Sequence, residues 1–223
     1  MGTSYSGKRA QSYNAHWHKY TERTLSETVS LIDITALQSI IEQQGRRPRV
    51  LDVACGTGIL LHSLLQQIPG LEAYGVDGSV DMLAQAHKLL DEYPSVQLQQ
   101  AVIGSGERAN LPYLSHTFDL ITYTNALHDT PQPDMTLMGL GQLLAPGGQL
   151  LVEDYARRDS PFPWPVFEWL IRRAEKDYVR AYTFSEVQSL CTRAGFHMIY
   201  GRTFVVNWLW HGWVLRLGSN TSG

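Results

Sequence analysis

The stretch that most constrains this chain is RVLDVACGTGILLHSLL, Arg49 to Leu65. RVLDVA is rich in branched apolar residues, is followed after Cys55 by two glycines spaced G-x-G, and these give way at once to apolar residues at helical spacing. Such a run reads as a buried strand, a sharp turn and a helix, the opening unit of an α/β sheet. Gly56 and Gly58 allow backbone angles closed to other residues and put no Cβ in the path of a ligand. The helix that follows presents unpaired N–H groups to an acceptor. What the turn holds is then the question.

The rest of the chain repeats the pattern. EAYGVD, VQLQQAVI, FDLITYTN and GQLLVEDY read as further strands, with helices over Gly58–Gln67, Val80–Asp91 and Asp134–Leu144. Ser79 or Asp81 can cap the second of these helices, and LLAPGGQLLVED reads as a helix end, a turn and a strand. Ahead of the first strand, roughly Ser4 to Gln44 forms a helical arm in one or two pieces, with Leu25, Val29, Ile32, Leu37, Ile40 and Ile41 as its apolar stripe. After the fifth strand, a segment rich in proline and aromatic residues leads to TFSEVQSLCTRAGF, a helix capped by Thr183 or Ser185 and stopped by Gly195. Two more strands are expected near His197–Val206 and Trp213–Leu217, with NWLWHGW as a hairpin loop on the sheet edge or over the pocket. The expected organisation is an arm over 1–44, one ligand-binding domain over 45–217 with a cover over about 156–182, and a flexible tail over 218–223.

Composition narrows the function classes. Hydrophobic residues make up 43% and charged residues 17%, enough for a full core. The net charge is −3, and the longest basic runs are Arg157-Arg158 and Arg172-Arg173, so no electrostatic footprint for nucleic acid is visible. No apolar run is long enough to span a bilayer, and the first residues carry no apolar leader, which points to a cytoplasmic chain. Cys55 and Cys191 have no metal-type spacing to another Cys or His, so two free thiols and no metal site are expected.

Asp77 closes the next strand, 19 residues after Gly58. An acid there can accept hydrogen bonds from both hydroxyls of a ribose. Strand, G-x-G, helix and then acid together point to a nucleoside cofactor. A dinucleotide fits badly: Leu61 occupies the place of the third glycine of G-x-G-x-x-G, and Asp52 sits four residues before Gly56, where a carboxylate opposes phosphate and tolerates a cation.

VLDVACGTG, YGVDGSVDML, GERANLPYLSHTFDLITYTNALHD and LLAPGGQLLVED, in that order, resemble the class I S-adenosylmethionine-dependent methyltransferases, within them the small-molecule branch of ubiquinone and menaquinone biosynthesis. The resemblance covers about Tyr13 to Phe196. It implies a Rossmann-like three-layer α/β sandwich with a mostly parallel seven-stranded sheet, an antiparallel C-terminal strand, an N-terminal helical arm and a helical cover. It also implies S-adenosyl-L-methionine as cofactor, with S-adenosyl-L-homocysteine as product. Carried over by position, Gly56, Thr57 and Gly58 line the methionine moiety and Asp52 lies near its ammonium. Asp77 takes the ribose, and Gly78 and Met82 flank the adenine. Where the family has Gly-Asp-Ala before Leu-Pro, this chain has Gly106-Glu107-Arg108-Ala109-Asn110, which gives the adenine amino contact to Glu107, with Arg108 beside it. Asn125 faces the sulfonium from the end of its strand.

The implied reaction is in-line methyl transfer to a small, aromatic or apolar acceptor at O, C or N. His128, after the fourth strand, is the candidate base, with Asp129 as its orienting partner. Glu153 or Asp154, closing the fifth strand, can face the acceptor. In the arm, Tyr13 closes over the site while Trp17 and Tyr20, three apart on a helix, wall the acceptor pocket. Trp164 and Phe167 of the cover do the same. A cyclase or decarboxylase on the same scaffold, a non-catalytic cofactor binder and a nicotinamide oxidoreductase are the competing readings. The expected partner is the small-molecule acceptor, without nucleic acid or a membrane span, in a monomer or homodimer.

Overall fold

The computed structural model describes residue 7 and residues 18–103, 111–157, 163–174, 177–207 and 211–219. Seven strands form one sheet in the order β3-β2-β1-β4-β5-β7-β6. They are β1 (Arg49–Val53), β2 (Glu72–Asp77), β3 (Gln97–Gln100), β4 (Phe118–Thr124), β5 (Leu144–Tyr155), β6 (Phe196–Val205) and β7 (His211–Ser219). The first five pair in parallel, whereas β7 runs antiparallel to both β5 and β6. The described helices are α1 (His18–Leu31), α2 (Ile34–Gln44), α3 (Ile59–Gln67), α4 (Val80–Leu89), α5 (Pro133–Leu143), α6 (Trp164–Ala174) and α7 (Phe184–Arg193), with a single 3-10 turn at Leu127–Asp129. None is long and apolar enough to cross a membrane.

Alternation along the central strands builds the layers. Leu51 and Val53 of β1 and Ile121 and Tyr123 of β4 join Leu137 and Leu140 of α5 and Val187 and Leu190 of α7 on one face. Val50 and Leu120, on the opposite parity, pack with Leu31, Leu37, Leu61, Leu64 and Leu83 of α1 to α4 on the other. The β4 segment FDLITYT is buried on both faces until its last residue, as a central parallel strand must be. Glu27 secures the arm: almost wholly buried, it pairs with Arg23 at 2.6 Å and reaches across to Arg202 of β6 at 2.5 Å.

Local chemistry sets most boundaries. Asp33 caps α2 through Ala36 N–H, and the left-handed Gly45 closes it. Between the two expected caps of α4, Ser79 is the one used, accepting from Met82 N–H. Thr183 and Glu186 form a reciprocal capping box on α7. Two expectations need correction. The third strand is only four residues long, because its faces are mostly exposed and little core holds it. The last strand begins at His211, so the end of NWLWHGW is strand, not loop; Trp213, expected to start that strand, is fully buried in it, its indole N–H donating to the Tyr182 carbonyl at 3.2 Å.

The strand order places the site. The chain winds outward from β1 through β2 to β3, then returns to put β4 on the other side of β1. Loops leave that reversal point in opposite directions, opening a crevice at the carboxyl ends of β1 and β4.

Candidate active site

A cleft of about 240 Å³ lies at that reversal point. Its described walls come from the turn after β1 (Ala54, Cys55, Gly56, Thr57), from Asp77–Ser79 and Met82, and from Val102 and Ile103 after β3. Ile59 and Leu60, Tyr123 to Ala126, Asp129, Thr130 and Asp177 complete it, with Asp52 at its floor.

The turn after β1 is held open by three left-handed residues, Ala54 (φ 59°), Gly56 (φ 53°) and Gly58 (φ 77°). An alanine in that region is strained and is retained where the surroundings over-determine it. The two glycines serve different ends. A Cβ on Gly56 would meet only the Met82 methyl, at 3.9 Å, so its space is open for a ligand. A Cβ on Gly58 would come within 2.9 Å of Leu90 and 3.2 Å of Ala86, and Gly58 is not on the described cleft wall. Gly58 allows α4 to pack closely on the turn and enters α3 with a left-handed backbone. Gly58→Ala should combine strain with overpacking and lower unfolding stability by about 2–4 kcal/mol, measured by denaturant titration.

Asp77 ends β2 with both carboxylate oxygens anchored. Gly56 N–H donates to Oδ2 at 2.8 Å and Ser79 N–H to Oδ1 at 2.7 Å. Each oxygen keeps a lone pair for a further donor, so the carboxylate is fixed and able to accept two hydroxyls. Burial pushes its pKa up, partly offset by those two N–H groups.

Asp52 stands opposite Thr122 in the β1–β4 register, and the Thr122 hydroxyl donates to its Oδ1 at 2.7 Å. The residue is 1% exposed, and burial raises its pKa to about 7, with Asp77 adding repulsion. A buried acid at the cleft floor is stabilised in its charged form by a cation. Affinity for a cationic ligand should therefore fall as pH drops through 7, by roughly tenfold or more between pH 7.5 and 5.5. Calorimetry at several pH values checks this, and Asp52→Asn should flatten the profile. The sign for the free protein is the reverse: the folded-state pKa is raised, so this group's contribution to stability declines as pH rises from the unfolded value of about 3.9 to about 7.

Asn125 is also left-handed (φ 51°) and lines the cleft. Glu153 holds it at two points: Asn125 N–H donates to the Glu153 carbonyl, and its side-chain amide donates to Oε2, both at 2.9 Å. Glu153 is fully buried, and desolvation, with Asp154 beside it, pushes its pKa well up.

Beyond Asn125 the 3-10 turn carries His128 and Asp129. His128 Nδ1 lies 2.8 and 2.9 Å from the two oxygens of Asp154, and its backbone N–H donates to Asp154 Oδ2 at 2.9 Å. Tyr155 N–H adds a further bond to Asp154 Oδ1. His128 Nε2 lies 3.2 Å from Asp129 Oδ1. The Tyr155 ring sits 4.5 Å and the Tyr178 ring 6.1 Å from the imidazole. The His128 carbonyl accepts N–H bonds from Val179 and Arg180, pinning the cover segment that carries Asp177 into the cleft wall.

The expected roles shift accordingly. Asp154 is not on the described cleft wall; 1% exposed, it orients His128 from behind. Asp129 is the acid of this group that lines the cleft, with His128 behind it. Trp164 and Phe167 pack edge-to-face on each other at 5.6 Å and are absent from the described wall, which receives Asp177 from the same segment instead. Tyr13, Trp17, Glu107 and Arg108, and the side chain of Tyr20, lie outside the described residues. Ala54, Thr130 and Asp177 carried no sequence signal, because a left-handed alanine and a loop acid brought in by tertiary contacts leave no local pattern.

The cleft suits a nucleoside with a cationic amino-acid arm. It has a fixed carboxylate for a ribose, a buried carboxylate for an ammonium, and space at Gly56. Its described walls hold four aspartates and no Lys or Arg, which opposes a pyrophosphate. The described residues contain no group of three or more His, Cys, Asp or Glu able to hold a metal ion.

Residues 51–150 match the family model of a methyltransferase domain. The chain is 28% identical over 176 residues to the demethylmenaquinone methyltransferase of Lactiplantibacillus plantarum, covering 70% of this chain and 73% of that protein. It is 30% identical over 152 residues to the ubiquinone biosynthesis O-methyltransferase of Aromatoleum aromaticum, covering 66% and 63%. The solved O-methyltransferase family 2 protein from Planctomyces limnophilus superposes with a TM-score of 0.71 at 18% identity, over 94% of this chain and 61% of that one. With this sheet, this cleft and these relatives, the chain is a class I S-adenosylmethionine-dependent methyltransferase.

Proposed function

We propose that the chain transfers a methyl group to a small, aromatic or apolar acceptor of the kind handled in quinone biosynthesis, at an oxygen, nitrogen or activated carbon. The observation that carries this reading is the cleft that joins the donor-side acids Asp52 and Asp77 to the Asp129–His128–Asp154 group at its far end. The cofactor supplies a methyl already activated by a sulfonium charge, so the protein's task is alignment and the exclusion of water. In this reading Asp77 accepts from the ribose hydroxyls, Asp52 faces the ammonium, Gly56 and Thr57 flank the amino-acid arm, and Gly78 and Met82 flank the adenine. Asn125, locked by Glu153, fixes the floor beneath the reacting centre.

The names of the relatives support a ring-bearing acceptor, since demethylmenaquinone and ubiquinone precursors are the substrates those names imply. The cleft's charge supports an uncharged or cationic acceptor, because a phosphate or carboxylate beside Asp129 and Asp177 would meet repulsion. The test is incubation with methyl-labelled S-adenosylmethionine and a panel of phenols, hydroquinones and amines. Label in a small product supports the reading. Tight donor binding with no labelled product from any class contradicts it.

A further inference from the structure

Resting on the reading that Asn125 lies beneath the reacting centre, we propose that Glu153 is a positioning residue that turns the Asn125 carbonyl oxygen into the cleft. That oxygen then makes the cleft prefer the cationic methyl donor to its neutral product. Asn125 lines the described cleft wall and Glu153 does not, so Glu153 acts on a ligand through Asn125.

An asparagine amide has a donor end and an acceptor end of nearly equal size, and its neighbours decide which end faces outward. Here the neighbour is Glu153. Asn125 sits in the left-handed region at φ 51°, and its N–H donates to the Glu153 carbonyl at 2.9 Å, which fixes the root of the side chain. Its Nδ2 donates to Glu153 Oε2 at 2.9 Å. The reverse orientation would set Oδ1 against Oε2 at that distance, two acceptors facing each other. Nδ2 is held toward β5, and no hydrogen bond from the described residues reaches Oδ1. The anchor itself is unfavourable to the fold. Glu153 is fully buried, and its Oε1 has no hydrogen-bond partner among the described residues. An apolar side chain of the same length would fill that place without the desolvation cost. Packing therefore does not account for an acid here, whereas its hold on the Asn125 amide does.

Charge sets the consequence. The methyl donor carries a positive sulfonium, and the product carries a neutral thioether on the same nucleoside and amino-acid arm. An oxygen dipole aimed at the sulfur attracts the first far more than the second. Asp52 and Asp77 draw less of that distinction, because the ammonium and ribose they face are common to both. No described Lys or Arg lines the cleft to cancel the attraction. A cation in the cleft also favours the ionised form of Glu153, which is the form that accepts from Nδ2. The attraction fades as the sulfur loses its charge, so it does not speed the methyl step. It lets fresh donor displace product.

Calorimetry with S-adenosylmethionine and with S-adenosylhomocysteine reads the ratio of the two affinities in each variant. A merely structural role would weaken both ligands alike and leave the ratio unmoved. Asn125→Gly suits the left-handed backbone and removes the amide. It should lower the preference for the donor about tenfold. Glu153→Met keeps the length of the side chain and frees the amide to turn. It should lower the preference about three- to tenfold, with product affinity within about twofold of wild type. Its denaturant midpoint should match or exceed that of wild type. The double variant should show the Asn125→Gly ratio and no further loss, because two residues acting as one unit are not additive. Glu153→Gln retains an acceptor for Nδ2 and should keep more of the preference than Glu153→Met. A ratio unmoved in either single variant overturns the proposal, as does a Glu153→Met protein that fails to fold. So does a double variant in which the two losses multiply, or a Glu153→Gln ratio as low as that of Glu153→Met, which would make the charge itself the agent. None of these titrations needs an acceptor. A search for labelled product that finds none would sink the methyl-transfer reading and leave this result standing.

Discussion

Replacing Asp154 by alanine is expected to cost more than any other single change near the cleft. Three donors lose their acceptor at once: the His128 ring, the His128 N–H and the Tyr155 N–H. Each is buried, so stability should fall by about 3 kcal/mol, read as a shift in the denaturant midpoint. Turnover should fall about 100-fold or more, because nothing then fixes the imidazole tautomer. Asp154→Asn separates the two effects. It keeps the volume and one acceptor oxygen, so it should recover part of the lost stability and still lose most of the rate. An Asp154→Asn protein with full activity would show that the buried carboxylate serves packing alone.

Asp77→Ala should carry the second large effect, on binding rather than rate. The carboxylate lines the cleft and is held by the N–H groups of Gly56 and Ser79, one on each oxygen. Losing two charge-assisted hydrogen bonds from a ribose should weaken cofactor affinity by about 1–3 kcal/mol, roughly 10- to 100-fold. The loss also frees Gly56 N–H at the centre of the glycine turn, so part of the effect will come from the turn itself. Asp77→Asn distinguishes the parts: it can still accept one N–H, and it should recover some of the turn but little of the ribose affinity. Calorimetry with S-adenosylhomocysteine measures both variants directly.

How much of this was legible in the sequence follows from the distance over which each interaction is encoded. Asp77 and Gly56 were readable because strand, turn and helix impose a fixed local spacing on a nucleoside site. Asp52 was readable as an acid unsuited to phosphate, but its pKa near 7 depends on burial between β1 and β4, which only the assembled sheet provides. The helix caps at Ser79 and Thr183 were visible because capping is a matter of three or four residues. The packing role of Gly58 was hidden for the opposite reason. Its constraint comes from Ala86 and Leu90 on another helix, and no spacing rule announces that contact.

The partner of His128 shows the same limit. Asp129 is adjacent in sequence and was the natural choice, while Asp154 is 26 residues away and meets the imidazole only because β4 and β5 end side by side. The aromatic cover was legible in part. Density of Trp and Phe suggested a pocket wall at Trp164 and Phe167, and those rings also pack edge-to-face on each other. The same segment reaches the cleft through Asp177, while Tyr178 backs His128. Composition told which residues were available there, and the hydrogen bonds from Val179 and Arg180 to the His128 carbonyl decided which of them arrived.

The central claim is that one cleft, built on Asp52, Gly56 and Asp77, holds S-adenosylmethionine. Calorimetric titration of the purified protein with S-adenosylmethionine and, separately, with NADH tests it most directly. The account predicts one sulfonium-nucleoside site per chain, weakened 10- to 100-fold by Asp77→Ala, and no measurable binding of the dinucleotide. Tight binding of NADH with none of S-adenosylmethionine, or sulfonium binding indifferent to Asp77→Ala, would contradict it.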